Sequence, residues 1–78
     1  MPTVLRIGPY RFMFYAGDKD EPPHVHVKRD DCQAKLWLDS IAVANNVGFV
    51  EHELNKIIGL TGRHREFLLR KWHEFFDD

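Results

Sequence analysis

The first half of the chain alternates apolar and polar side chains with the two-residue period of β-strands. The runs are residues 3–7, 10–15, 24–29 and 33–38. Gly8-Pro9 lies between the first two runs and Asp30-Asp31 between the last two, and short turn-forming pairs of this kind connect antiparallel strands. The pattern therefore predicts two hairpins that join into a four-stranded antiparallel meander over residues 1–39.

Alternation also assigns each strand residue to one of two faces of the sheet. The inner face is apolar and is expected to pack in the core; it comprises Tyr10, Phe12, Phe14, Val25, Val27, Ala34, Leu36 and Leu38. The outer face is polar, cationic and aromatic; it comprises Arg11, Met13, Tyr15, His24, His26, Lys28, Lys35 and Trp37. Antiparallel sheets with a single face packed on a core have this pattern.

Beyond residue 50 the period changes to that of a helix. Apolar side chains recur about every 3.5 residues over residues 50–76, which predicts one long helix, or a helix pair if it breaks near Gly59 or Gly62. Residues 40–48 are ambiguous between a short strand and an irregular connection. The acidic Asp77-Asp78 end opposes the helix dipole, so fraying is expected there. The predicted fold class is α+β, with the four-stranded antiparallel β-meander packed on one face by a C-terminal long helix or helix pair.

Composition narrows the class of protein further. A chain of 78 residues allows a single domain over residues 1–78, and 44% apolar and 13% aromatic residues argue against intrinsic disorder. A membrane span is excluded because no apolar run of about 18 residues exists. With Cys32 as the only cysteine and no recognisable secretory signal, we expect a cytoplasmic protein without disulfides. A net charge of −1 gives no global attraction to nucleic acid, so function must be inferred from local patches.

The most specific candidate for a functional site is the pair His24 and His26. Because they are two positions apart in a strand, their side chains lie on the same face of the sheet, about 7 Å apart along the chain. As catalytic residues they would supply a general acid and base for a ribonuclease, with Lys28 and Lys35 neutralising phosphate. As metal ligands they would need a third donor. The candidates for that donor are Glu21, Asp18, Asp20, His52 and His64. As a structural residue, His24 would bond loop carbonyls after Pro22-Pro23. The sequence leaves these alternatives open, and we assign no metal or cofactor from it.

The outer face carries a second candidate. Cations interleaved with aromatic rings suit single-stranded RNA, since cations hold phosphates and rings stack on bases. The RNA-contact residues on this interpretation are Arg11, Tyr15, Lys28, Lys35 and Trp37. The alternative is a surface for a partner protein centred on Trp37. No phosphate-binding glycine loop and no Ser–His–Asp arrangement is found in the sequence.

Motifs along the whole chain resemble a family of short bacterial proteins of unknown function. They are MPTV at residues 1–4, YRFMFY at 10–15, EPPHVHV at 21–27, AKLWL at 34–38, Gly48-Phe49, Glu53-Leu54 and WHEFF at 72–76. Members of that family are often described, from gene neighbourhood, as the toxin-side partner of a small neighbouring protein. This chain departs from the family pattern at Val50, where members commonly place a helix-capping Ser.

The resemblance implies a toxin-like component of a bacterial toxin–antitoxin-type pair, whose partner would be a small cognate, antitoxin-like protein. The outer face adds the hypothesis that it acts on RNA, as a ribonuclease or as an RNA binder. The alternatives are a non-enzymatic protein-interaction module and a metal-binding module built on His24 and His26. Whether a reaction is catalysed stays open, and so does a homo-oligomer. No membrane partner is expected.

Overall fold

The computed structural model describes residues 3–76; the Met1-Pro2 opening and the Asp77-Asp78 end, where fraying is expected, lie outside the described residues. The elements are β1 (Thr3–Ile7), β2 (Tyr10–Met13), a 3₁₀ helix (Ala16–Asp20), β3 (His24–Arg29), β4 (Cys32–Trp37), β5 (Val43–Val47), α1 (Glu51–Arg63) and α2 (Arg65–Phe76). The strands form a single antiparallel sheet in the order β1-β2-β3-β4-β5. The α+β class is confirmed.

The predicted number of four strands is wrong, because the ambiguous segment contributes a fifth strand. In β5, Val43 is half-buried and the four residues after it are exposed. The strand pairs only with β4, for example Asn45 with Lys35 and Val47 with Gln33. A sheet-edge strand held by main-chain bonds does not need the apolar alternation on which sequence prediction depends. The strand region therefore extends to residue 47 rather than ending at residue 39.

Both predicted hairpin turns are confirmed. Gly8 between β1 and β2 has φ 56°, and Asp30 between β3 and β4 has φ 53°. Tight hairpins require such left-handed backbone, which Gly adopts freely and Asp tolerates. Because Arg29 pairs directly with Cys32, the second turn contains only two residues. This short turn fixes the register that brings the outer-face residues of β3 and β4 together.

The inner face forms the core as predicted. Every residue assigned to it is buried, and Phe12, Phe14, Val25, Val27, Leu36 and Leu38 are wholly enclosed. The helices cover this face mainly with Ile57, Leu68 and Trp72, and Phe49 joins the same cluster. The ring of Phe14 meets Trp72 edge to face with 5.3 Å between centroids. Apolar burial against the two helices therefore supplies most of the stabilisation of the fold.

The helical half is a pair, which is one of the two predicted outcomes. α1 ends at Arg63 and α2 begins at Arg65, so the break falls at His64, just beyond Gly62 rather than at Gly59. The His64 N–H still donates to the Leu60 carbonyl at 3.1 Å, so the chain stays bonded through the break. Within residues 3–76, no helix is long and apolar enough to cross a bilayer.

An ionic contact ties the start of α1 to the sheet. Arg29 donates to the Glu53 carboxylate from Nε at 2.6 Å and from Nη2 at 2.7 Å, and the Tyr10 hydroxyl donates to it at 2.7 Å. The hydrogen bonds from Arg29 hold the pKa of Glu53 below its ordinary value. Burial, together with Glu53, raises the pKa of Tyr10. This contact orients α1 at the end of the core opposite the helix break.

Candidate functional site

The 3₁₀ helix between β2 and β3 turns a carboxylate inward. The Asp18 N–H donates to the Tyr15 carbonyl at 3.0 Å, and Asp18 Oδ2 accepts from the Tyr15 N–H at 2.9 Å. Pro22 and Pro23 follow, and prolines end helical structure and favour extended chain into the next strand. As a result Asp18 is only 9% exposed and lies against the outer face of β3.

Two imidazoles converge on that carboxylate. Asp18 Oδ2 lies 3.2 Å from His24 Nε2 and 3.1 Å from His26 Nε2. The donor atoms of all three side chains lie within 4.8 Å of one another. Alternation along β3 places both rings on one face, as the sequence predicts. We call Asp18, His24 and His26 the carboxylate–histidine cluster.

The hydrogen bonds of His24 are uneven. Its Nδ1 lies 2.9 Å from the Pro22 carbonyl oxygen, and because a carbonyl only accepts, Nδ1 carries the proton. Its Nε2 is wholly buried and makes no hydrogen bond of acceptable geometry, although Asp18 Oδ2 lies 3.2 Å away. The structural role proposed from sequence, a bond to a loop carbonyl after Pro22-Pro23, is therefore confirmed for one nitrogen. The structural role does not account for the other ring nitrogen, Nε2.

The pKa values of Asp18 and His26 both lie below their ordinary values, for different reasons. Burial alone would raise the pKa of Asp18, but the Tyr15 N–H and the two imidazoles hold that pKa below its ordinary value. Burial lowers the pKa of His26, although the nearby Asp18 carboxylate opposes this. Both directions favour an ionised carboxylate beside a neutral His26 ring at neutral pH. At the cluster's rim, Lys35 lowers the pKa of Glu21 through a 2.5 Å ion pair.

Aromatic rings enclose the cluster. Trp72 reaches from α2 to within 5.1 Å of the His24 ring, and Trp37 stands edge-on to the same ring at 5.5 Å. On the other side, the Tyr15 ring lies 4.3 Å from that of His26. His24 is wholly enclosed, whereas His26 keeps 8% exposure. His26 and Asp18 therefore give the cluster a narrow edge toward solvent, and His24 does not contribute to it.

A groove of about 400 Å³ opens beside that edge, on the outer face of the sheet. Its lining consists of His26, Lys28, Asp30, Asp31, Gln33, Ala34, Lys35, Asn45 and Val47. Most of its polar side chains are amides or amines that donate hydrogen bonds, and the two aspartates lie together at the hairpin turn. We call this concavity the outer groove.

Of the site residues predicted from sequence, His26, Lys28 and Lys35 line the outer groove, whereas Arg11, Tyr15, His24 and Trp37 do not. Across the strands, Arg11 pairs with Lys28, His26 with Lys35, and His24 with Trp37. The predicted RNA-contact residues, Arg11, Tyr15, Lys28, Lys35 and Trp37, are all half-buried on the outer face. The Lys35 ammonium also lies 4.8 Å above the Trp37 ring. The predicted catalytic pair is divided, because His24 is enclosed while His26 borders the outer groove.

Of the five candidates for a third metal ligand, Asp18 joins the histidines. Glu21 lies 3.9 Å from His24 Nδ1, the nitrogen on the far side of the ring from Asp18. Among residues 3–76 no other group of three potential ligands includes Asp20, His52 or His64. Sequence reasoning could not choose among the five, because the fold of residues 16–23 decides which carboxylate turns inward.

Sequence reasoning missed two polar residues that border the cluster and the outer groove. Gln33 Nε2 lies 3.4 Å from His26 Nδ1, and Asn45 lines the groove from β5. Alternation along β4 already places Gln33 on the same face as Lys35, which is the signal that could have found it. Asn45 could not be placed without knowing that β5 exists.

Fold and site together define a small α+β domain whose antiparallel sheet carries a buried carboxylate–histidine cluster beside an open polar groove. The chain belongs to the family described as a domain of unknown function (DUF4160), whose model matches residues 10–73. This match agrees with the resemblance to a short family of unknown function. Searches of curated proteins and of solved structures each give no match.

Proposed function

We propose that this protein is an RNA-binding, toxin-like component of a bacterial two-protein pair, and that single-stranded RNA lies in the outer groove. The observation that carries the proposal is the clustering of Lys28 and Lys35 with donor amides in one concavity. Amines and amides of this kind hold phosphate and sugar oxygens. The adjoining rings of Tyr15 and Trp37 are of the type on which bases stack.

Burial divides the roles of the two histidines in this proposal. An enclosed His24 has no direct path to a phosphodiester outside the protein, since proton transfer needs contact within about 3.2 Å or through one water. His26 borders the outer groove and is the member of the pair that could exchange a proton with bound RNA. Binding is therefore the primary activity proposed, and cleavage would depend on His26.

The test of binding is fluorescence anisotropy with a labelled single-stranded RNA of about 12 nucleotides, over a salt series starting near 50 mM. We expect Lys28→Ala/Lys35→Ala to weaken binding at least about tenfold and to lower the slope of log K against log salt by about 1.4. The matched control is Lys56→Ala/Arg63→Ala, which removes the same charge from exposed positions of α1. Equal losses in the two variants would mean that the groove is not the RNA site.

The test of toxicity is induced expression in bacteria, with growth and total RNA followed together. Growth arrest with RNA degradation that is lost in a folded His26→Gln variant would support a ribonuclease. Normal growth with intact RNA, from a well-expressed wild type, would contradict the toxin-like part of the proposal in that host. RNA binding would then be judged on the anisotropy result alone.

A second candidate function, a surface for the cognate protein, is favoured by exposed aliphatic side chains at the β5 side of the outer groove. Val47 is 57% exposed and lines the groove, and Val50 beyond it is 66% exposed. An antitoxin-like partner that covers these side chains would also cover the proposed RNA site. Competition between RNA and the neighbouring gene product for the groove would support this arrangement, and simultaneous binding would contradict it.

A further inference from the structure

Two of the three spacings within the carboxylate–histidine cluster match the edges of a metal coordination sphere. Ligands about 2.1 Å from a metal ion lie about 3.0 Å apart at right angles and about 3.4 Å apart in a tetrahedron. Asp18 Oδ2 lies 3.2 Å from one Nε2 and 3.1 Å from the other, within that range. The third edge, between the two imidazole nitrogens, is bounded only by the 4.8 Å span of the donor atoms, so any separation above about 3.4 Å has to close when an ion binds.

The hydrogen bonds of His24 leave one ring nitrogen without a partner. Because Nδ1 carries the proton given to Pro22, a neutral ring directs the Nε2 lone pair toward the carboxylate of Asp18. That nitrogen is wholly buried and has no hydrogen-bond partner of acceptable geometry, which is costly in a buried setting. A cation between the three donor atoms satisfies the lone pair and the carboxylate together.

Neighbouring groups already orient each proposed ligand. Metal-bound imidazoles usually donate their other ring N–H to a carbonyl or carboxylate, and His24 does so to Pro22. The Gln33 side-chain nitrogen lies 3.4 Å from His26 Nδ1 and donates to it, so the ring proton of a neutral His26 lies on Nε2, facing Asp18, and is released when a metal ion binds there. The Tyr15 N–H holds the Asp18 carboxylate in place.

We propose that Asp18 Oδ2, His24 Nε2 and His26 Nε2 bind one divalent transition-metal ion of the zinc or ferrous class. Two imidazoles and one carboxylate form a donor set that suits these ions, whereas Mg²⁺ and Ca²⁺ prefer oxygen ligands alone. Three protein ligands leave at least one coordination position open. The inference goes beyond RNA binding and does not depend on it.

The test begins with tag-free protein stripped by a chelator and titrated with Zn²⁺ or Co²⁺. We expect one equivalent to bind, visible absorption bands from bound Co²⁺, and a melting temperature raised by about 10–20 °C when free Zn²⁺ is 100-fold above Kd. Asp18→Asn and His26→Gln should each weaken binding by about 100-fold or more, beyond what loss of an orienting neighbour costs. His52→Gln is the matched control, since it removes an exposed histidine of α1 and should leave Kd unchanged.

A second measurement needs no variant and so does not depend on altered proteins folding. Nitrogen-15 NMR of the imidazoles should show that one equivalent of Zn²⁺ shifts the Nε2 signals of His24 and His26, while the His52 signals stay in place. Binding that is lost in His52→Gln, binding without saturation at one equivalent, or unmoved Nε2 signals would each overturn the proposal. Measuring the anisotropy of RNA binding with and without chelator distinguishes a failure of the metal proposal from a failure of the RNA proposal.

Discussion

The two faces of the sheet are both largely buried, but they are buried by different means. On the inner face, apolar side chains such as Phe12 and Leu36 pack against the helices. On the outer face no residue assigned from sequence is fully exposed, and three of them (Met13, His24 and His26) are as buried as core residues. Burial alone therefore does not distinguish the core from the candidate functional site. The two differ in whether the buried atoms are apolar or polar.

That difference predicts different responses to substitution. The stabilisation from apolar packing scales with the area and volume that are buried. Substitutions that change side-chain shape should therefore destabilise the inner face, whereas changes of pH should have little effect on it. The carboxylate–histidine cluster instead depends on the direction of a few polar bonds, so it depends on charge and protonation.

The largest effect is expected from Phe12→Ala on the inner face. It removes a wholly enclosed ring and leaves a cavity, which should cost about 3–5 kcal/mol of unfolding free energy. Urea denaturation followed by circular dichroism measures it. Lys28→Ala, one strand away on the outer face, is the control and should change stability by less than about 0.5 kcal/mol. Comparable losses of unfolding free energy in the two variants would show that the two faces do not differ in their contribution to stability.

A middle-sized effect is expected from Asp18→Asn in chelator-treated protein. The variant keeps the shape of the side chain but gives up charge-assisted hydrogen bonds to the Tyr15 N–H and to His26, which should cost about 1–2 kcal/mol. The same denaturation experiment measures it. A loss as large as that of Phe12→Ala would show that the cluster belongs to the folding core rather than to a ligand site.

A stabilising change of about 1 kcal/mol is expected from Val50→Ser at the start of α1. Val50 is the N-cap, has extended backbone (φ −77°, ψ 161°) and offers no side-chain acceptor to the first turn. A Ser hydroxyl would accept from a free N–H there. Thermal melts compare it with Val47→Ser, which lies on an exposed strand and should bring no such gain. A gain in both variants would point to surface polarity instead of capping.

The smallest effect is expected from Glu53→Gln and shows itself in pH dependence. Because Arg29 lowers the pKa of Glu53 in the folded protein, the stabilisation is complete above the ordinary carboxyl value of 4.5 and is lost as pH falls through the lowered value. The melting temperature of the wild type should exceed that of Glu53→Gln at pH 7, and the gap should shrink toward pH 3. A gap that stays constant with pH would show that Arg29 stabilises the fold without help from the Glu53 charge.

The inner face could be predicted because it is periodic. Alternation identified eight buried residues of the inner face, since a strand with one dry face leaves a two-residue signature, and the Gly8-Pro9 and Asp30-Asp31 pairs marked both hairpin turns. β5 left none, because Val43–Val47 is mostly exposed and gains its place through main-chain bonds to β4. The two glycines indicated a helix break near residues 59–62, and the structure has it at His64.

The site was predictable only in part for a related reason. His24 and His26 share a strand, so their common face follows from spacing alone. Asp18 reaches them through a 3₁₀ helix whose turn direction no periodicity encodes, and it stood among five equal candidates. That His24 is enclosed depends on Trp72, which lies 48 positions further along the chain and arrives only through helix packing.

The order of the strands has a consequence for how the molecule folds. Each strand pairs only with its neighbours along the chain, so the sheet can be built hairpin by hairpin without a long loop closing first. The proposed ligands Asp18, His24 and His26 fall within one such stretch. Trp72, which encloses His24, belongs to α2, the last element along the chain. We expect the ligand set to assemble early on the folding route, which would let a metal ion enter before Trp72 closes over it.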